Sequence, residues 1–161
     1  MKRKVLIIMV GILQVVVGSA FAQNHLKIKD VFDKYGKQEG AVLVQLSTDI
    51  LSQGSSITFY KSLIVDEKDL VKQNIMTALK ADTDGKMIIS EVKKSGQLES
   101  ASFYLGHNSE PINEFILYKN KGKKITLVYL KGNFPSGNLE YELKQLKDLF
   151  IYVNNKRIKI Q

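Results

Sequence analysis

Between Met87 and Lys131 the residues alternate in four successive segments, Met87 to Val92, Leu98 to Leu105, Asn113 to Lys119 and Ile125 to Lys131. The spacers Lys93-Lys-Ser-Gly96, Gly106-His-Asn-Ser-Glu-Pro111 and Asn120-Lys-Gly122 are rich in turn formers. A period of two sends neighbouring side chains to opposite faces of a strand, and spacers this short leave no room for a crossover helix. The pattern therefore predicts an antiparallel meander of four strands.

The residues before the meander divide into helix and strand. Ile28, Val31, Phe32 and Tyr35 recur at helical spacing between charged residues, which predicts a short amphipathic helix over Leu26 to Tyr35. Ala41 to Leu46 and Ser56 to Val65 are β-branched or alternating and predict two more strands joined by the Ser47 to Ser55 segment. Leu70, Val71, Ile75, Ala78 and Leu79 form one face of a helix over Glu67 to Ala81, with Asp66 as its cap and Asp69 in capping-box position. Past the meander, Asn138 is placed to cap a helix bearing Leu139, Leu143, Leu146, Leu149 and Phe150, and Ile151 to Ile160 reads as a hairpin turning at Asn154-Asn155. Helices segregated from a long run of strands predict an α+β fold: a mainly antiparallel sheet of about six strands plus a C-terminal hairpin, with two or three amphipathic helices.

Lys2, Arg3 and Lys4 precede an apolar run from Val5 to Val17, followed by Gly18-Ser-Ala-Phe-Ala22. This is the form of a signal peptide cut after Ala22, and the run is shorter than the roughly 20 residues a membrane span needs. Residues 23–161 are then expected to form one α+β domain, exported to the periplasm or beyond, with no stable membrane span after cleavage. The chain contains no cysteine. A lipoprotein anchor and disulfides are thereby excluded, so the exported fold must rest on its core. The formal charge of +8 includes the three basic residues of the leader, which leaves +5. Export makes nucleic acid an unsuitable partner, while an anionic surface remains compatible with that charge.

The sharpest chemical pattern lies at Lys80-Ala-Asp-Thr-Asp-Gly-Lys-Met-Ile-Ile-Ser-Glu91, where Asp82, Asp84, Gly85 and Glu91 match the spacing of a calcium loop. Lys80 stands where the first carboxylate belongs, and a strand rather than a helix follows. The stretch is therefore expected to be a helix end turning into a strand at Asp84-Gly85. His25 and His107 have no partner at a recognisable spacing, no Gly-x-Ser-x-Gly elbow occurs, and Gly36-Lys-Gln-Glu-Gly40 lacks the strand and the Gly-Lys-Ser/Thr ending of a phosphate loop. No catalytic, metal or cofactor residue is assigned, and no cofactor is expected. The densest basic cluster, Tyr118-Lys-Asn-Lys-Gly-Lys-Lys124, offers Tyr118, Lys119, Lys121, Lys123 and Lys124 as candidate contacts to an anionic partner. Lysines at a hairpin tip also serve solubility and discourage edge pairing.

The mature lead His25-Leu-Lys-Ile28, Ile57-Thr-Phe-Tyr-Lys-Ser-Leu63, Ser100-Ala-Ser-Phe-Tyr-Leu105 and Lys124-Ile-Thr-Leu-Val-Tyr-Leu-Lys-Gly132 together resemble small exported Bacteroidetes proteins grouped as domain of unknown function 6108. Phe32-Asp-Lys-Tyr35 followed by the Gly40 to Leu46 strand is also similar to group 4252. The resemblance implies an envelope setting and transfers no active residue. The expected function is a non-enzymatic binding or interaction module of the envelope or periplasm, with an envelope protein or glycan as partner. The alternative is an envelope-acting hydrolase using a carboxylate or hydroxyl site that spacing does not reveal.

Overall fold

The computed structural model describes residues 25–48, 51, 55–109, 111–147, 150–153 and 156–159. The expected leader over residues 1–22 lies outside the described residues. In chain order the elements are α1 (Ile28–Tyr35), β1 (Val42–Ser47), β2 (Ile57–Asp66), α2 (Asp69–Thr83), β3 (Met87–Lys94), β4 (Gln97–Ser109), β5 (Ile112–Lys121), β6 (Lys124–Gly132), a 3-10 turn (Ser136–Asn138), α3 (Leu139–Lys147), β7 (Phe150–Val153) and β8 (Lys156–Lys159). The first six strands form one sheet in the order β1-β2-β6-β5-β4-β3, antiparallel throughout, and β7 pairs with β8 as a separate hairpin. The protein is α+β, as the periodicity predicts.

The meander returns from the far edge to close on β2, so α2 must carry the chain from β2 to β3 across four strand spacings, roughly 19 Å. Its 15 residues supply roughly 22 Å of helix. Val71, Ile75, Ala78 and Leu79 of α2, with Ile28, Val31, Phe32 and Tyr35 of α1, cover one face of the sheet. Phe59 and Leu63 of β2, Phe103 of β4, Ile116 and Tyr118 of β5, and Leu127 and Tyr129 of β6 rise to meet them. The opposite face gathers Leu46, Ile57, Tyr60, Phe115, Val128, Leu130 and Phe134 beneath Leu139 and Leu146 of α3. Phe134 folds back so closely over the end of β6 that a Cβ on Gly132 would meet its ring at 2.1 Å and the Ser56 carbonyl at 2.8 Å. Glycine is required there by space.

Four local expectations are corrected. Asp66 does not cap α2; it ends β2 opposite Lys124 and pairs with it at 2.5 Å, while Lys68 occupies the cap position without a side-chain bond. The ladder to β6 runs to the last residue of β2 and takes Asp66 with it. His107 lies within β4, which continues through two register shifts to Ser109 instead of turning at Gly106. Phe150 opens β7 and does not extend the stripe of α3. Tyr118 is a core residue, only 1% exposed on the α2 side, and is not beside the lysines at the surface. The Lys80 to Glu91 stretch is a helix end feeding a strand, with Gly85 at φ +66 between α2 and β3.

Candidate functional site

Strand parity assigns each side chain to a face. On β5, Glu114, Ile116 and Tyr118 point toward the helices α1 and α2, whereas Phe115, Leu117, Lys119 and Lys121 point toward α3. On β6, Lys124, Thr126 and Val128 share the α3 side. The nine residues of α3 make roughly 13 Å of helix, and six strands span roughly 24 Å, so α3 cannot roof the whole face. A bond from the Ser56 hydroxyl to the Glu142 carboxylate ties α3 near the start of β2. Among the described residues α3 leaves the opposite end, toward the β5–β6 hairpin, open.

The result is a groove of about 740 Å³ between the sheet and α3. Its apolar lining comes from Ile64, Ile89, Leu117, Val128, Leu139 and Leu143, several of them only half-buried. Ser90, Ser100, Ser102 and Thr126 add hydroxyls, and those of Ser90 and Ser102 lie 2.6 Å apart across the β3–β4 ladder. The phenol of Tyr60, also in the lining, is raised above its usual range by burial. Lys119, Lys121, Lys124 and Lys144 line it as well, all exposed. Two of these cations are balanced, Lys124 by Asp66 at 2.5 Å and Lys144 by Glu140 at 3.1 Å. Among the described residues no carboxylate pairs with Lys119 or Lys121.

The basic cluster seen in the sequence is thus split by the pleat. Lys119, Lys121 and Lys124 all line the groove, Lys123 sits in the hairpin turn at φ +63, and Tyr118, although its position on β5 borders the groove, packs in the core cluster on the α2 side. Spacing did not single out Ser90 and Ser102, which belong to the consecutive strands β3 and β4 and become direct neighbours through the register of their ladder.

A second polar cluster lies on the α1 side of the sheet. Glu114 is 3% exposed, with one carboxylate oxygen 3.1 Å from Lys131 Nζ and the other 3.3 Å from His25 Nε2. Tyr129 donates to the same carboxylate, and burial, reinforced by the charge of Glu114, pushes its phenol well above the usual range. Glu114 escaped notice in the sequence, although its parity with Ile116 and Tyr118 marks a charge in phase with core residues. Lys131 is similarly in phase with Leu127 and Tyr129, and the two are direct cross-strand neighbours. The cluster neutralises itself and leaves no free charge to act on a ligand.

The apparent calcium ligands diverge. Asp82, at the end of α2, accepts hydrogen bonds of 2.8 Å from the backbone N–H groups of Lys27 and Ile28 at the start of α1. Glu91 pairs with Lys93 on β3 at 3.1 Å. Among the described residues no group of three or more His, Cys, Asp or Glu side chains is placed to hold a metal ion, and no helix is long and apolar enough to cross a membrane. The family model DUF6108, a family of unknown function, matches residues 15–143. No curated protein matches the chain.

Proposed function

Starting from a chain that belongs to the DUF6108 family of unknown function, we propose a non-enzymatic binding module of the envelope or periplasm whose site is the groove between the sheet and α3. Export rests on the basic, apolar and Ala-x-Ala pattern of residues 2–22. The observation that carries the binding reading is the groove itself: about 740 Å³ of apolar and hydroxyl-bearing wall that α3 is too short to close. That volume lies in the range of about 300 to 1,000 Å³ usual for small-molecule sites. An apolar wall left partly open to solvent supports the binding reading.

The chemistry of the lining favours holding over turnover. The described lining contains no histidine, and its one carboxylate, Glu140, is occupied by Lys144. The paired hydroxyls of Ser90 and Ser102 have no histidine in the described lining and no unpaired carboxylate there to make either a nucleophile. The buried Glu114, the acid best placed for a hydrolase, faces the other side of the sheet and is held by Lys131.

Burying about six methylenes in the groove would gain roughly 5 kcal/mol, while association costs at least about 4 kcal/mol. Apolar contact alone therefore gives weak binding, and a polar anchor is needed for useful affinity. The test is uptake of a neutral apolar fluorophore such as N-phenylnaphthylamine. The protein should bind it with blue-shifted emission, and Thr126→Trp, which fills the middle of the floor with a strand-compatible side chain, should weaken uptake at least about tenfold with the fold intact by circular dichroism. No uptake by the unmodified protein, or equal uptake by the variant, would reject the groove as the site.

A further inference from the structure

We infer that the groove takes a single-chain amphiphile with an anionic head, its tail along the apolar wall and its head held by Lys119 and Lys121. This rests on the binding reading above and adds the ligand class to it. Lys119 and Lys121 are two residues apart on β5, so both leave the strand on the α3 side with their Cα atoms roughly 7 Å apart. Ammonium groups on long stems at that separation can converge on one phosphate, sulfate or carboxylate. Ser100 and Thr126 are the cross-strand neighbours of Lys119 on either side, and both hydroxyls belong to the lining. They supply neutral donors next to the two cations.

Charge balance points the same way. Lys121 is paired in register with Lys124, so three ammoniums crowd one end of the β5–β6 ladder; of the nearby carboxylates, Asp66 is taken by Lys124, and Glu67, which accepts from Asn120, is taken by Lys72. Like charges on neighbouring strand positions repel, and an anion bound between Lys119 and Lys121 relieves that repulsion. A lysine fringe serving only solubility would not need to border this groove. Here the apolar half begins with Leu117 and Val128, the next same-face pair below Lys119 and Thr126 on β5 and β6, with Leu143 of α3 also in the lining. A ligand spanning both halves must be charged at one end and apolar at the other.

The experiment is displacement of the bound neutral fluorophore by dodecyl phosphate and by dodecyl maltoside, which share a tail and differ in head charge, both below their micellar concentrations. Dodecyl phosphate should compete at least about tenfold better at low salt. The preference should shrink as salt is raised, because the head pairs are solvent-exposed. Lys119→Gln combined with Lys121→Gln should abolish the preference, each detergent being scored against that variant's own fluorophore uptake, whereas Lys123→Gln should leave the preference intact. Inorganic phosphate alone should displace nothing. Equal competition by the two detergents, a preference that survives the double variant, or displacement by inorganic phosphate would overturn the inference while leaving the groove as a site. Sedimentation with anionic vesicles that depends on Lys119 and Lys121 but leaves the fluorophore bound would also overturn it, by assigning the lysines to a membrane surface. Loss of fluorophore binding in the unmodified protein would defeat the underlying reading instead.

Discussion

Lys27, at the cap position of α1, has no side-chain oxygen to offer the free N–H groups of the first turn, and the carboxylate of Asp82 takes that part from another helix. The start of a helix carries partial positive charge, so a carboxylate accepting two of its N–H groups is well placed. Removing it leaves two donors without a partner at a largely buried junction. Asp82→Ala is expected to cost about 2 kcal/mol in urea denaturation, whereas Asp84→Ala, an exposed change in the turn, should stay within about 0.5 kcal/mol. The same contacts argue against a calcium loop, because Asp82 is committed to α1. Melting curves with millimolar calcium and with a chelator should coincide; a rise of several degrees with calcium, lost in Asp84→Ala, would contradict this assignment.

At the scale of strands, the β5–β6 ladder sets Glu114 directly opposite Lys131 on the buried face. Such a pair need add little over two well-packed apolar residues, yet losing either partner strands a buried charge. Glu114→Leu and Lys131→Met are each expected to cost about 3 kcal/mol or more, and the double variant markedly less than their sum. A double-mutant cycle by urea denaturation checks this, and additive losses would show that the pair is not coupled. His25, half exposed, lies beside the same carboxylate but should contribute little, since solvent reaches and screens the contact. Helix length also shapes the two faces of the sheet: α2 is long enough to cross from β2 to β3, α3 is too short to cover its face, and the groove is the difference.

For the molecule as a whole, the buried phenols predict its alkaline limit. Tyr60, Tyr118 and Tyr129 are all raised above the usual tyrosine value of 10.0, chiefly by burial. Above about pH 10 the unfolded chain loses phenolic protons that the folded chain retains, so stability falls as pH rises. Part of the phenolate absorbance should therefore appear only with the loss of circular dichroism; a complete phenolate titration with the fold intact would count against it. Local periodicity was sufficient for the α+β class, the four-strand meander and the helix faces, because burial on one side imposes a repeat that neighbouring residues carry together. Parity also held more than spacing revealed, since Tyr118 is in phase with Ile116 and Lys119 with Leu117, which already puts them on opposite faces. Only the tertiary structure decided that β6 closes on β2, that Asp82 reaches Ile28 across 54 positions, and that the α3 side of the sheet is the one left partly open. Those outcomes depend on which distant surfaces meet and on the relative lengths of the helices that cover them, and a repeat of two or 3.6 residues carries no information about either.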